Sequence, residues 1–195
     1  FGSSSHSNED INEVLNRVEA GTIELPNHDM LVGGFPCQDY SVARTKNQAN
    51  GLKGRKGVLW WEIERAIAMY RPRLVFLENV DRLLKSPTTP RQPGRDFAVM
   101  LASLSDLGYH VEWRVVNAAD YGFPQKRRRV FIVAHRTGQA RRGIETNPTQ
   151  WLLKDGPIAR ALPVFAVYES ERGEDLRLVG SLSDITERFN VGGVV

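Results

Sequence analysis

Apolar positions along this chain switch repeatedly between helical and extended spacing. From Asp10 to Ala20, Ile11, Val14, Leu15 and Val18 recur at helical intervals, with Gly21 as the stop. Pro26-Asn27-His28-Asp29 is a turn, and Met30-Leu31-Val32 after it predicts a short buried strand. Val58 to Tyr70 predicts a helix, because Leu59, Ile63, Ala66, Ile67 and Tyr70 share one face while Glu62, Glu64 and Arg65 lie elsewhere. Pro72 ends it, and Leu74-Val75-Phe76-Leu77 is a continuous apolar run of the kind found in parallel strands. Strand, loop plus helix, strand is a right-handed crossover unit. Phe97, Met100, Leu101, Leu104 and Leu107 then mark a second helix after the crossover, stopped at Gly108. Val111, Trp113 and Val115 alternate with Glu112 and Arg114, predicting a half-buried strand. The link Asn117 to Arg128 has no helical pattern and leads to the strand Val130–Ala134, so those two strands are expected to pair antiparallel. The fold class is α/β.

The interruptions carry their own information. Gln38 to Gly57 is polar, holds Gly51, Gly54 and Gly57, and reads as a functional loop that closes over a site. Lys85 to Gly94, with Pro87, Pro90 and Pro93, reads as a surface loop. After His135 the chain turns polar, basic and weakly periodic, with Leu162–Tyr168 and Leu176–Val179 as strand candidates around the Glu169–Asp175 turn. A domain boundary is therefore expected near residue 138, separating 1–138 from 139–195. Both ends lack structural start and stop signals, so the chain reads as a fragment of something longer.

Composition narrows the classes. The 195 residues are 41% apolar and 25% charged, enough for one good core and ordinary for a globular protein. No window approaches eighteen uninterrupted apolar residues, and Phe1 to Ser7 lack the pattern of a secretory signal, so no membrane span or export is expected. The single cysteine excludes an internal disulfide and fits a reducing cytoplasm. A net charge of +3 points only weakly to nucleic acid, but Lys126 to Arg142 carries seven Lys or Arg and no acid. No metal-ligand spacing occurs, and no metal is expected.

The chemistry gathers at Leu31-Val32-Gly33-Gly34-Phe35-Pro36-Cys37-Gln38-Asp39-Tyr40-Ser41. A thiol on a proline-stiffened turn just past a strand is how a nucleophile is offered to a substrate. Glu78 is expected just beyond the end of the next parallel strand, at the carboxyl edge where open α/β sheets bind ligands. If the last strand runs antiparallel, Gln125-Lys126-Arg127-Arg128-Arg129 begins at that same edge. Thiol, carboxyl and guanidinium would then converge.

Taken in order, Gly33-Gly34-Phe35-Pro36-Cys37-Gln38, Glu78-Asn79-Val80 and Gln125-x-Arg127-x-Arg129 resemble three hallmark motifs of the DNA cytosine-5 methyltransferases. Gly57-Val58-Leu59 with Glu62-Ile63 resembles the family's intervening segment, although Lys56 stands where Arg is usual, and Ala119-Asp120-Tyr121-Gly122-Phe123-Pro124 matches its approach to the arginines. The likeness covers roughly residues 8 to 138.

The resemblance implies a Rossmann-like, S-adenosylmethionine-dependent methyltransferase fold, here truncated, with the start of a small target-recognition domain in 139–195. It makes Cys37 the nucleophile at carbon 6 of cytosine, Glu78 the protonated carboxyl at ring nitrogen 3, Arg129 the ligand of the ring carbonyl oxygen and Arg127 its support. Pro36, Gln38, Ser41, Asn79 and Gln125 are the implied substrate contacts. Asp10, Ile11 and Pro36 are the implied cofactor contacts, Asp10-Ile11 being only a two-residue match. The family's glycine-rich cofactor loop is not in this sequence, so the chain alone is expected to bind cofactor poorly and turn over little. Double-stranded DNA is the implied partner, with the target base flipped out of the stack. The full-length protein is expected to be a monomer in a bacterial or phage-type cytoplasm, associated with the nucleoid through DNA and genetically paired with a restriction endonuclease. A tRNA cytosine-5 methyltransferase shares the same trio, but Gly-Gly-Phe-Pro-Cys rather than a Pro-Pro-Cys form favours DNA. A non-catalytic relative that keeps the fold is the other alternative, and intact Cys37, Glu78 and Arg129 argue against it.

Overall fold

The computed structural model describes residues 6–35, 59–86, 93–136, 138, 144, 146–163 and 192–194. Helix α1 (Ile11–Glu19) and strand β1 (Met30–Gly34) come first, followed by helix α2 (Leu59–Tyr70) and strand β2 (Leu74–Val80). Helix α3 (Arg95–Asp106), strand β3 (Tyr109–Asn117), strand β4 (Arg128–Arg136) and a short strand β5 (Gly192–Val194) complete the framework. The sheet order is β1-β2-β4-β3-β5. β1 and β2 are parallel, and every other pairing is antiparallel, so a crossover unit is joined edge to edge with a hairpin.

Local chemistry sets the element ends. Asp10 caps α1 by accepting a hydrogen bond from the Asn12 backbone N–H at 2.8 Å. The chain leaves α3 through Gly108 at φ +75°, a left-handed turn that costs glycine least. Asp81–Lys85 forms a 3₁₀ turn that buries Leu83 and Leu84 and leads into the expected Lys85–Gly94 loop, of which residues 87–92 lie outside the described residues.

Strand alternation divides the sheet into two faces. Val75 and Leu77 of β2, Val111 and Trp113 of β3, and Val130, Ile132 and Ala134 of β4 pack against Trp60, Ile67, Phe97, Met100, Leu101 and Leu104 from α2 and α3. Trp60, Trp113 and Phe97 are fully buried, and removing any one to Ala should cost about 3–5 kcal/mol. α1 lies outside α2, tied to it by Asn12 to Glu62 at 2.7 Å and by Arg65 to Glu19 and Asn16.

The second face corrects the expectation for β3. Glu112 and Arg114 alternate like solvent-facing residues, yet they are 0% and 6% exposed. Helical turns at Pro148–Gln150, Trp151–Asp155 and Pro157–Ala161 lie over that face, and the Arg114 guanidinium donates to the carbonyls of Leu162, at 3.0 Å, and Leu152. Gly156 fits because it has no side chain: a Cβ there would sit 2.7 Å from Glu112 Oε2, Trp151 Nε1 and the Trp151 carbonyl. Since backbone is among those neighbours, Gly156→Ala should destabilise the fold by about 1–3 kcal/mol, read from the midpoint of denaturant unfolding. Leu162 and Pro163 end this helical segment rather than begin a strand; the other residues of the two expected strands lie outside the described residues.

Candidate active site

The parallel register sets the geometry at the carboxyl edge of the sheet. Gly33 pairs with Leu77 and Gly34 with Glu78, so β1 runs two residues beyond the expected Met30–Val32. Glu78 lies inside β2, not beyond its end, flanked by Gly34 on one side and Phe131 on the other. The correction has a simple cause: pairing with both neighbours holds a polar residue in extended backbone that an apolar count would have ended at Leu77.

Glu78 and Arg129 meet. Arg129 stands opposite Val80, one diagonal step from Glu78 on the same face, and its Nε donates to Glu78 Oε1 at 2.8 Å. Both side chains are partly exposed. The other carboxyl oxygen, Oε2, lies over Gly34, where a Cβ would be 3.5 Å away. Glycine therefore places no side chain of its own against that oxygen. Beneath the pair, the Phe76 and Phe131 rings stack at 5.8 Å on the same face.

Neighbouring residues hold the frame. Asn79 is 3% exposed; its Nδ2 donates to the Phe35 carbonyl at 2.8 Å, and its Oδ1 accepts from the Val80 N–H at 2.8 Å. Asn79 thus ties the chain leaving β1, two residues before Cys37, to the strand that carries Glu78. Arg128 points to the other side of β4, and its Nε pairs with Asp81 at 2.9 Å, which fastens the start of β4 to the turn after β2. Sequence reasoning missed that pair; the only signal was an acid just after Glu78-Asn79-Val80. The Ala118–Tyr121 turn closes through the Ala118 N–H on the Arg127 carbonyl at 3.0 Å, with Gly122 at φ +84° and Asn117 as cap. Gln125 and Arg127 are exposed in the connection that feeds β4.

Asp10 and Ile11 occupy the N-terminus of α1. The contacts Asn12–Glu62, Asn16–Arg65 and Glu19–Arg65 advance in step, so α1 and α2 run the same way. α2 follows β1, and the start of α1 therefore lies toward the edge where β1 ends. Ile11 is 39% exposed there. Pro36, Cys37, Gln38 and Ser41, and the loop from Gln38 to Gly57, lie outside the described residues.

A carboxyl group and a guanidinium side by side offer adjacent hydrogen-bonding groups to a planar ring edge that carries a carbonyl next to a ring nitrogen. Asn79 brings the chain just before the thiol to the same place.

Comparison with known proteins adds the family. Residues 1–187 match the family model described as C-5 cytosine-specific DNA methylase. The type II methyltransferase M.Sau3AI of Staphylococcus aureus is 46% identical over 192 residues, which is 97% of this chain and 45% of that protein. M.NlaIV of Neisseria lactamica is 34% identical over 139 residues, covering 69% of this chain and 31% of the relative. M.NgoBI of Neisseria gonorrhoeae is 39% identical over 110 residues, covering 56% and 32%. The chain thus spans less than half the length of each.

Proposed function

Since the chain belongs to the C-5 cytosine-specific DNA methylase family, we propose that the full-length protein is a DNA cytosine-5 methyltransferase of the type II restriction–modification kind. It moves a methyl group from S-adenosylmethionine to carbon 5 of a cytosine flipped out of duplex DNA. The observation that carries this reading is the Arg129–Glu78 pair at 2.8 Å, set against Gly34 on the strand that leads to Cys37.

Carbon 5 of cytosine is too electron-poor to take a methyl group unaided. The Cys37 thiolate adds at carbon 6 and makes carbon 5 an enamine-like nucleophile. Negative charge then spreads onto the ring. Glu78, as the acid, delivers a proton to ring nitrogen 3, and Arg129 donates to the ring carbonyl oxygen beside it. Arg127 supports that end, and Gln125, Pro36, Gln38 and Ser41 make the surrounding substrate contacts. Asn79 acts through the chain, by fixing Phe35 and hence the approach of Cys37. When the carbon 5 proton is lost, Cys37 is released.

S-adenosylmethionine, when bound, supplies an electrophilic methyl group. Asp10, Ile11 and Pro36 would hold it, a reading supported by the start of α1, with Ile11 exposed and Asp10 as its cap, lying toward the edge where Glu78 lies. Residues 139–195 begin the target-recognition part. The protein works as a monomer on DNA in a bacterial cytoplasm, with a cognate endonuclease as its genetic partner.

Labelled S-adenosylmethionine, offered to the full-length protein with mixed-sequence duplex DNA and separately with tRNA, tests the substrate class. Label in DNA that co-migrates with 5-methylcytosine supports the reading. Label confined to tRNA, or to neither, overturns it.

A further inference from the structure

Helix α1 is held to α2 by a closed ring of four side chains. Asn12 Nδ2 donates to Glu62 Oε1 at 2.7 Å, and Arg65 Nη1 donates to Glu62 Oε2 at 3.2 Å. Arg65 Nη2 donates to Asn16 Oδ1 at 2.8 Å, and Asn16 Nδ2 completes the ring on Asn12 Oδ1 at 3.1 Å. Each amide gives its nitrogen to one neighbour and its oxygen to the other, and both carboxyl oxygens of Glu62 are engaged. Glu19 adds to the ring from outside, accepting from Arg65 at 2.7 and 2.5 Å. A polar network satisfied in this way is rigid.

The ring sets which way α1 faces. Asn12, Leu15, Asn16 and Glu19 recur at helical spacing and share one side, where only Leu15 is apolar. Leu15 is also the one buried residue of this nine-residue helix. A single apolar contact leaves the roll of a helix free, whereas hydrogen bonds are directional and fix it. The docked side is therefore offset from the apolar run Ile11, Val14, Leu15 and Val18, and Ile11 is left 39% exposed. Asn12 joins this ring to the helix start. Its backbone N–H donates to Asp10 Oδ1 at 2.8 Å while its side chain grips Glu62.

We propose that Asn12 and Glu62 are positioning residues for S-adenosylmethionine: their hydrogen bond fixes the first turn of α1, and so presents the Asp10 carboxylate and the Ile11 side chain to the cofactor. This rests on the reading that Asp10 and Ile11 contact S-adenosylmethionine. Glu19, at the far end of the helix, anchors α1 without placing its first turn.

The test uses the full-length protein and its Asn12→Ala, Glu62→Ala, Glu62→Gln and Glu19→Ala variants. Binding of S-adenosylmethionine would be titrated calorimetrically without DNA, and methylation rates followed over a range of cofactor at saturating DNA. Asn12→Ala and Glu62→Ala should each raise Kd and KM for S-adenosylmethionine about tenfold, the size expected for losing a hydrogen bond to a charged group. Their kcat at saturating cofactor and their KM for DNA should stay within about threefold of the parent. Alanine is a better helix former than asparagine, so weaker binding by Asn12→Ala cannot come from a poorer helix. Glu62→Gln keeps an oxygen that accepts from Asn12, and its Kd should return to within about threefold of the parent. Glu19→Ala should lower the melting temperature more than it changes Kd. An unchanged Kd in Asn12→Ala would overturn the proposal, as would a fall in kcat alone or an equal rise in Kd from Glu19→Ala. Failure of the unvaried protein to bind S-adenosylmethionine would sink the underlying reading. Normal binding by the parent with unchanged Kd in the variants would remove only the role of Asn12 and Glu62.

Discussion

Arg129→Ala in the full-length protein is expected to lower kcat/KM for DNA methylation by about 10²–10³-fold, the loss typical of removing one donor aimed at developing charge. Arg129 is the residue the sheet brings onto Glu78, and its side chain is anchored from both directions: Nε on Glu78 and Nη1 on the Arg128 carbonyl at 2.7 Å. Two functions are therefore lost together, the donor to the ring oxygen and the group that orients Glu78. Arg129→Lys should recover little, since an ammonium keeps the charge but cannot hold a carboxylate and a carbonyl oxygen in one plane. Initial rates over a range of DNA concentrations decide it. An Arg129→Ala enzyme within threefold of the parent would exclude Arg129 from the reaction.

Glu78→Gln should lower kcat at saturating DNA and cofactor by about 10²–10⁴-fold, the usual range for a lost general acid. The amide is isosteric and its oxygen can still accept from Arg129, so the frame is kept while the transferable proton is lost. Stability should barely change: the ion pair is partly exposed, and such pairs contribute about 0–1 kcal/mol. A large fall in kcat with an unchanged melting curve separates a chemical role from a structural one. A large stability loss with near-normal kcat would reverse the assignment.

Much of this site is legible in the order of elements. The apolar runs at Met30–Val32 and Leu74–Leu77, separated by one helical pattern, require a parallel crossover, and the short link before Val130 requires an antiparallel return. Those two features bring Glu78 and Arg129 to one edge, which is the arrangement found; Cys37, the third expected member, lies outside the described residues. The α/β class expected from the resemblance is met by the mixed sheet. Boundaries were harder to read. β1 continues through two glycines, and β2 through Glu78 and Asn79, because pairing in register with neighbours outweighs poor intrinsic strand preference.

The second face of β3 shows why periodicity misleads. Glu112 and Arg114 fit a solvent-facing alternation, but the sheet is covered there by residues far along the chain that offer backbone carbonyls to Arg114. Polarity in that row marks a need for hydrogen bonding, and a pattern cannot say whether water or protein meets it. Arg128 is similar. The basic run reads as one patch, whereas strand alternation sends Arg129 to Glu78 and Arg128 to Asp81 on opposite sides. Cys37 lies outside the described residues, which on this side end at Phe35, the residue whose carbonyl Asn79 holds.

The central claim is that Cys37 attacks a cytosine held by Glu78 and Arg129. A duplex carrying 5-fluorocytosine at the target tests it most directly, because fluorine at carbon 5 cannot leave as a proton does and the adduct persists. Full-length protein with S-adenosylmethionine should form a denaturant-resistant complex, and digestion should place the added mass on the peptide that contains Cys37. Cys37→Ser should give none. No adduct from the unvaried protein across duplexes of diverse sequence, or one that survives Cys37→Ser, would contradict the account.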